Sequence, residues 1–268
     1  MASTFDRTRF SARLGTHRMG HALLVRESTV SSNDDAWEAL ATLGDGAAVI
    51  ALEQTSGRGR AGRAWAQVPG RGLALSVVLR LGCDVRQAGA IPLAAGLAVV
   101  RAAHALGVPA ARLKWPNDVL VDGRKMAGVL CEVRRAAGGG DAVVIGVGLN
   151  VAHTREEFPE ELRERSTSLA MQGSNATIED AAAEVLTKLE PLWNELQEGD
   201  RAAVLAEWSR WAGHWGEWVR VRTPSGTVEG IAQRLDNDGG LVLRIEAGTE
   251  ITVVAGDVST SREGCDAA

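Results

Sequence analysis

The segment at 57–65, Gly-Arg-Gly-Arg-Ala-Gly-Arg-Ala-Trp, has the residue types needed to bind an anion. Its glycines let backbone N–H groups come close to a ligand, and Arg58, Arg60 and Arg63 offer bidentate donors to phosphate or carboxylate. Trp65 adds a flat apolar surface. We expect such a loop to order around its ligand and to exclude water. A solvated basic loop, or one that binds nucleic acid, remains an alternative at this point.

A second motif, Lys-Trp-Pro-Asn-Asp at 114–118, follows a short strand pattern. Pro116 turns the backbone there, so the Lys114 ammonium is held at a fixed point near a sheet. One cation at a strand end suits the meeting of a carboxylate with a triphosphate. Taken alone, a lysine at a strand end is more often a solvated charge, and Asn117 is equally compatible with a turn residue.

Two further motifs consist of small residues. Gly-Val-Gly-Leu-Asn at 146–150 ends an apolar strand, and its glycines indicate the close approach of a flat group, although a β-bulge explains them nearly as well. It is not the dinucleotide fingerprint, because neither a third glycine nor a helix start follows. Ser-Ser-Asn at 31–33 offers small hydrogen-bonding side chains before a helical pattern, but a helix N-cap is the more frequent role of such residues.

These motifs lie between regular elements that the hydrophobic pattern predicts. Strands are expected at 47–54 and 73–81, on either side of the arginine loop, followed by a buried alanine-rich helix at 87–107. Three consecutive antiparallel strands are expected next, at 112–115, 118–135 with an Asp122-Gly123 turn, and 142–151 after a turn at 136–141. Two helices follow, at 177–199 and at about 200–212, and Pro191 is expected to kink or divide the first.

From residue 213 the pattern changes to short β runs separated by Gly-rich turns. The predicted fold class is α+β, a mixed β-sheet with flanking helices plus a small C-terminal β-barrel. The expected division is a lightly ordered lead-in at 1–22, a catalytic domain at 23–212, the barrel at 213–262 and a tail at 263–268. Tryptophans recur at intervals of three or four between 208 and 218, and we expect them to pack between the two domains.

Composition excludes several classes of protein. The 268 residues are 45% hydrophobic and 24% charged, which is ordinary for a soluble globular protein. Cys83, Cys131 and Cys265 suit neither a disulfide framework nor a Cys-x-x-Cys metal site, which indicates a reducing cytoplasm. The start lacks the apolar core of a signal peptide, and nothing predicts a membrane span. A formal charge of −5 argues against bulk affinity for nucleic acid.

In order and spacing, the segments STVSSN, EQTSGRGRAGRAW, KWPNDVLVDGRKMAGVL and VVIGVGLNV resemble the biotin–protein ligases. The resemblance implies the class II synthetase-like catalytic fold of biotin and lipoate ligases, followed by an SH3-like domain. It also implies two reaction steps. Biotin and MgATP give biotinyl-5′-adenylate and pyrophosphate, and a lysine of a biotin carboxyl carrier domain, from an acyl-CoA or pyruvate carboxylase, then displaces AMP.

The resemblance also implies residue roles. The residues expected to bind biotin are Ser31, Ser32, Asn33, Gln54, Arg58, Gly59, Arg60 and Lys114. Those expected to bind ATP or the adenylate are Arg58, Arg60, Arg63, Trp65, Lys114, Asn117 and Asn150. Arg58, Arg60 and Lys114 would be catalytic through their charge, and Lys114 would bridge the biotin carboxylate and the α-phosphate. Mg²⁺ would enter with ATP, and no protein ligand is assigned to it. The family pattern has Ser-Thr-Asn at 31–33, and Ser28-Thr29 offers a rival alignment.

Other functions stay open from the sequence. A lipoate–protein ligase would share the fold, although its RRxSGG-type loop is absent, and a nucleic-acid-binding module would use the 58–63 arginines with the barrel. Only 30 residues precede Ser31, which leaves no room for an N-terminal winged helix-turn-helix and predicts the monofunctional type of ligase without DNA binding. A homodimer is compatible with the sequence but is not determined by it.

Overall fold

The computed structural model describes residues 5–82, 89–136 and 139–260. Its α-helices are α1 (Arg7–Arg13), α2 (Ser32–Thr42), α3 (Ile91–Ala105), α4 (Ile178–Gln197) and α5 (Arg201–Trp211). The strands up to residue 150 are β1 (Leu23–Arg26), β2 (Ala48–Ala51), β3 (Gly72–Arg80), β4 (Arg112–Lys114), β5 (Asp118–Val121), β6 (Arg124–Arg135) and β7 (Asp141–Asn150). The later strands are β8 (Trp218–Thr223), β9 (Gly226–Leu235), β10 (Leu241–Arg244), β11 (Glu250–Val253) and β12 (Asp257–Thr260).

Strands β1 to β7 form one mixed sheet in the order β1-β2-β3-β7-β6-β5-β4. β1 pairs with β2 in parallel, and the remaining neighbours are antiparallel, which confirms the predicted antiparallel run from β4 to β7. The start of the predicted 87–107 helix and part of the predicted 136–141 turn lie outside the described residues. The described part of that helix, α3, is almost wholly buried, as its composition predicts.

The two faces of this sheet are covered differently. Alternate residues of β7 face opposite sides, so that Val143, Ile145 and Val147 join the large core under α3 and α4, whereas Ala142 and Val144 pack with α2. Continuing along the α2 face, the next two inward positions of β7 are Gly146 and Gly148. Beyond the N-terminus of α2, these positions carry no side chains that could fill the space above the sheet. A cavity opens there.

The N-terminal segment is ordered over the described residues, so the expectation of a lightly ordered lead-in is wrong. Asp6 caps α1, and Phe10 is buried in the main core. Arg9 and Arg13 both bind the carboxylate of Asp180 in the first turn of α4. Periodicity within 22 residues could not show this, because the segment is stabilised by contacts about 170 residues away.

Helix α4 begins as predicted at Thr177, which forms a capping box with Asp180. It continues as one helix from Ile178 to Gln197 with Pro191 inside it, so the predicted division does not occur. This 20-residue helix carries the α1 contacts on one side and packs on α3 with the other.

The C-terminal residues form an antiparallel sheet of five strands in the order β11-β10-β9-β8-β12. The predicted β-rich domain is confirmed, and its closure into an SH3-like barrel stays a prediction, as do the exact domain boundaries. The indole N–H of Trp115 donates to the carbonyl of Gly239, and Trp208 is fully buried with its ring 6.1 Å from that of Trp215. These contacts support the predicted packing for Trp208 and Trp215, whereas Trp218 is 41% exposed and does not share it. Within the described residues, no helix has the length and apolarity to cross a membrane.

Candidate active site

The cavity on the α2 face collects ten of the twelve predicted site residues. Those in its wall are Ser31, Ser32, Asn33, Gln54, Arg58, Gly59, Arg60, Arg63, Trp65 and Asn117. Lys114 and Asn150 do not belong to this wall. These ten residues come from the start of α2, the loop after β2 and the turn before β5, while β6 and β7 supply further parts of the wall, so segments far apart in sequence meet at one place.

One end of the cavity is a buried network of neutral hydrogen-bonding groups. The Gln54 Oε1 atom accepts from the backbone N–H of Ser32 at 2.9 Å and from its hydroxyl at 3.1 Å. The hydroxyl of Ser76 lies 2.8 Å from the Ser32 hydroxyl and donates to Asn33 Oδ1 at 2.6 Å. Ser76, fully buried on β3, was missed from the sequence, although it is the one polar residue within the apolar run from Leu73 to Leu79.

Ser31 does occupy the N-cap position of α2, which is the more frequent structural role of such a motif. Its side chain, however, makes no capping hydrogen bond, and Ser31, Ser32 and Asn33 are all buried at the cavity. The motif therefore starts the helix with its backbone and presents its side chains to the site. This geometry favours the 31–33 alignment over Ser28-Thr29.

The glycines of β7 allow close approach, as predicted, and β7 pairs without a bulge on both sides. A Cβ atom at Gly146 would lie 2.3 Å from Asn33 Oδ1. A Cβ atom at Gly148 would lie 2.3 Å from Cε2 of Trp65. The flat group next to Gly148 is thus the indole of the chain itself, which lies across the strand.

The arginine loop forms a compact structure at the mouth of the cavity. The Gly59 N–H donates to the Arg63 carbonyl at 2.7 Å, and a short 3₁₀ turn at 60–62 separates the two residues. Ala61 in this turn has φ of 54°, a left-handed conformation that costs a residue with a Cβ atom free energy. The turn directs Arg58, Arg60 and Arg63 from one short segment towards the same cavity.

Arg58 is held by acidic groups beside the neutral network. Its guanidinium donates to both oxygens of Asp34 at 2.7 Å, and it lies 3.7 Å from Glu132. These hydrogen bonds hold the pKa of the Asp34 carboxyl below its usual range. Glu132 also accepts from the amide of Asn33 at 2.9 Å, so the same carboxylate fixes the asparagine and contacts the arginine. Glu132, on β6, was not predicted as part of the site.

Asn117 connects the arginine loop to the sheet. Its amide donates to the Val129 carbonyl at 2.7 Å, and its Oδ1 accepts from Arg60 at 3.1 Å. Asn117 is therefore more than a turn residue that bonds its own backbone. Arg60 also donates to the carbonyl of Gly256, and Arg63 binds Asp257 at 2.7 Å, so the C-terminal sheet takes part in holding this loop.

The lysine in the cavity wall is Lys125, and not Lys114 as predicted. Lys125 Nζ lies 2.6 Å from Asp118 and 5.7 Å from the centre of the Trp65 ring. Lys114 ends β4 at the far edge of the sheet, and its charge helps to lower the pKa of His214 in the seam between the domains. The sequence signal for Lys125 lies inside the same motif, directly after the Asp122-Gly123 turn, but spacing alone cannot show which lysine faces the cavity.

Asn150 supports the site from outside its wall. Its side-chain amide donates to the carbonyl of Thr167 at 3.0 Å and to that of Lys125 at 3.4 Å. It therefore fixes the backbone of the lysine that does line the cavity, and a direct contact with the adenine or ribose stays a prediction.

The arrangement suits reactions between anionic groups. Four cationic side chains line one cavity beside a neutral hydrogen-bonding network, namely Arg58, Arg60, Arg63 and Lys125. Such a set can bring a carboxylate and a polyphosphate together and stabilise the charge that develops between them. Cys131 offers no nucleophile, because burial raises the pKa of its thiol to about 12.

Comparison with known proteins agrees with this geometry. Residues 25–150 match the biotin/lipoate A/B protein ligase family, and residues 214–260 match the biotin protein ligase C-terminal domain. The class of protein that the fold and the site define is thus a biotin or lipoate ligase. The cavity lies within the first match, and the strands of the C-terminal sheet lie within the second.

Individual relatives narrow the class. The chain is 40% identical over 227 residues to the biotin–[acetyl-CoA-carboxylase] ligase of Mycobacterium tuberculosis, covering 80% of this chain and 79% of the relative. It is 34% identical over 233 residues to the corresponding ligase of Paracoccus denitrificans, covering 85% and 96%. The biotin protein ligase of Aquifex aeolicus in complex with biotin and ATP superposes with a TM-score of 0.76 at 28% identity, covering 90% of this chain and 98% of that structure.

The chain belongs to the biotin protein ligase family. The predicted enzyme class, an ATP-dependent ligase of biotin, is confirmed by these relatives. The monofunctional type and the cytoplasmic location stay predictions.

Proposed function

We propose that the cavity binds biotin and ATP next to each other, forms biotinyl-5′-adenylate, and transfers biotin to a lysine of a biotin carboxyl carrier domain. The observation that carries this proposal is the division of one cavity into two ends. Ser32, Asn33 and Gln54 form a neutral hydrogen-bonding end, and the arginine loop with Lys125 forms a cationic end. Biotin has the matching division, because its ureido ring is neutral and its carboxylate is charged.

The neutral end is suited to the ureido ring, which offers one carbonyl acceptor and two N–H donors. The Ser31 and Ser32 hydroxyls can donate or accept, and Asn33 and Gln54 offer amide oxygens and amide N–H groups. Asn33 is held between Ser76 and Glu132, so it meets the ring in a fixed orientation. A neutral ligand held in a buried site depends on such complete pairing, because each polar group left without a partner costs binding free energy.

The cationic end is suited to the first chemical step. An oxygen of the biotin carboxylate attacks the α-phosphorus of ATP, the bond to the bridging oxygen of the β-phosphate breaks, and pyrophosphate leaves. Both reactants are anions, so their approach requires positive charge in a site that excludes water. We assign the bridging position between carboxylate and α-phosphate to Lys125, and the phosphates to Arg60 and Arg63, while Arg58 and Gly59 close over the carboxylate.

The second step needs no covalent intermediate with the protein. The amine of the carrier lysine attacks the acyl carbon of the adenylate, AMP leaves, and the amine gives up a proton as the amide forms. AMP is a good leaving group, so catalysis by positioning and charge is sufficient. Mg²⁺ is proposed to enter with the ATP phosphates, because Mg²⁺ in nucleotide sites is usually bound through substrate phosphates and water with few protein ligands.

The test is biotin-dependent exchange between ATP and labelled pyrophosphate, followed by transfer to a purified carboxyl-carrier domain. We expect exchange with biotin and none with lipoate, and we expect Arg60→Ala to lose most of it. Arg220→Ala is the matched control, because Arg220 is also paired, with Glu229, but lies on β8 away from the cavity. Exchange that requires lipoate would replace the proposal with lipoate ligation. Retention on heparin without any exchange would favour nucleic-acid binding.

A further inference from the structure

A turn of the C-terminal sheet touches the arginine loop at two residues. The Arg63 Nη2 atom donates to Asp257 Oδ1 at 2.7 Å. Arg60 Nη1 donates to the Gly256 carbonyl at 3.2 Å and lies 3.9 Å from the Asp257 carboxylate. Both phosphate-binding arginines of the proposed site are therefore held by a segment nearly 200 residues away in sequence.

The segment that holds them is itself fixed. A Cβ atom at Gly256 would lie 2.7 Å from the carbonyl oxygen of Arg222, so the turn is packed against β8 with no space for a side chain. Asp257 is the first residue of β12 and is paired in register with Arg222. The carboxylate is thus mounted on a strand and not on a loose loop.

The contacts also leave part of each guanidinium for a ligand. Among the described contacts, Arg60 uses Nη1 for Asn117 and Gly256, and Arg63 uses Nη2 for Asp257 and Nε for the Arg60 carbonyl. A guanidinium has five N–H donors in a rigid plane, so fixing one edge orients the others. Both side chains line the cavity in which the phosphates are proposed to bind.

We propose that Asp257 is a positioning residue for nucleotide binding, through which the C-terminal sheet orients Arg60 and Arg63 towards the phosphates of ATP. This inference rests on the function proposed above. One carboxylate faces two guanidinium groups, so a net positive charge remains for the nucleotide. Ordering long side chains before the ligand arrives removes part of the entropy that binding otherwise has to overcome.

The contact between Asp257 and the two arginines could instead weaken nucleotide binding, because the carboxylate and ATP would compete for the same N–H donors. If Asp257 mainly occupied donors that ATP needs, its removal would strengthen ATP binding. The two roles predict opposite changes in the KM for ATP, and one variant separates them.

The experiment measures biotin-dependent ATP–pyrophosphate exchange with the full chain and its Asp257→Asn variant. We expect the KM for ATP to rise roughly tenfold, equivalent to about 1.4 kcal/mol, while the KM for biotin stays within twofold. Arg63→Gln should raise the KM for ATP by a similar factor, and adding Asp257→Asn to it should have little further effect, because the two residues act through one contact. Asp257→Glu should recover part of the affinity.

Glu250→Gln is the matched control, because Glu250 also pairs with an arginine, Arg234, but lies at the surface on β11, at the opposite edge of the sheet from β12. It should leave the KM for ATP unchanged. An unchanged or lowered KM in Asp257→Asn, with normal exchange in the parent chain, overturns the positioning role and leaves the proposed function intact. An absence of biotin-dependent exchange in the parent chain overturns the proposed function, and this inference with it.

Discussion

The indole of Trp65 lies directly on Gly148, so closely that three of its ring carbons are within 2.8 Å of the position that a Cβ atom would take. Gly128, which is paired with Gly148 on the adjacent strand, has the same indole at 3.3 Å from its own Cβ position. Two glycines on neighbouring strands thus form a shelf for one aromatic ring. That ring lines the cavity, with Lys125 Nζ 5.7 Å from its centre.

The first prediction follows from this shelf. Gly148→Ala should push the indole off the strand and lower kcat/KM for ATP in pyrophosphate exchange by roughly tenfold or more, because misplaced groups lose much of their catalytic effect. Gly213→Ala is the control, since its Cβ would meet Arg112 at an ordinary 3.5 Å. Equal activity of the Gly148→Ala and parent chains would show that the ring position is unimportant.

A second prediction concerns Ser76, which holds Asn33 in the neutral end. Ser76→Ala leaves the buried Asn33 Oδ1 without its donor, at a cost of about 1–3 kcal/mol. We expect the KM for biotin to rise about tenfold and the KM for ATP to change little, as measured by exchange at varied biotin. Ser209→Ala removes a part-buried hydroxyl that donates to the Leu205 carbonyl of its own helix, away from the cavity, and it should change neither constant. A selective change in the KM for ATP would contradict the assignment of the two ends.

A third prediction distinguishes the two lysines of one motif. Lys125→Ala should lower the rate of adenylate formation about 100-fold or more, as is typical for removal of a group that stabilises developing charge. Lys114→Ala should retain most of that rate, because Lys114 lies near the domain seam and outside the cavity wall. Single-turnover formation of the adenylate measures both. If Lys114→Ala were the more damaging change, the original assignment from the sequence would be restored.

These lysines show where sequence reasoning succeeds and where it ends. The motif from Lys114 to Val129 identifies a hairpin that bears cations, and that part is confirmed. Which lysine faces the cavity depends on strand register, and the β5–β6 pairing shifts between Val119 and Leu120. A shift of one residue moves side chains to the opposite face of a sheet, so spacing in the sequence could not decide it.

Local sequence patterns could not predict the contacts between residues that are distant in sequence. The glycines of β7 correctly predicted the close approach of a flat group, but nothing in the local pattern identified that group as Trp65. Asp257 and Glu132 are ordinary acidic residues in β patterns, and only the tertiary structure brings them to Arg63 and Arg58. Local patterns therefore predicted the elements and most of the cavity wall, whereas the residues that orient the wall required the fold.

A fourth prediction concerns stability. The buried carboxylate of Glu190 on α4 accepts from three consecutive backbone amides, those of His17, Arg18 and Met19, at 2.6–2.9 Å. Glu190→Ala leaves these donors without partners. The bond to Met19 is buried and those to His17 and Arg18 are part-buried, and a buried donor left unpaired costs about 1–3 kcal/mol. We expect the free energy of unfolding in urea to fall by about 3 kcal/mol or more. Glu184→Ala removes an i,i+4 pair with Lys188 on the same helix and should cost less than about 0.5 kcal/mol. Equal losses in the two variants would mean that the N-terminal segment contributes little.

The fifth prediction is a loss of stability in mild acid. Burial lowers the pKa of both His153 and His214 from 6.5 to about 4, so each is neutral in the folded chain at pH 5 but protonated in the unfolded chain. The unfolded state then binds more protons between pH 6.5 and 4, so the stabilisation is complete above pH 6.5 and is lost as the pH falls to 4. The slope approaches about 1.4 kcal/mol per pH unit for each histidine.

Urea unfolding at pH 7.5, 6 and 5 measures this slope. His153→Gln should lower the slope by the contribution of one histidine, about 1.4 kcal/mol per pH unit. The buried carboxylate of Glu190 acts at lower pH. Burial favours a higher pKa, but hydrogen bonds from the backbone amides outweigh it and lower the pKa, so the contribution of Glu190 is lost mainly below its usual value of 4.5. A free energy of unfolding that stays constant from pH 7.5 to 5 would show that neither imidazole is held neutral by the fold.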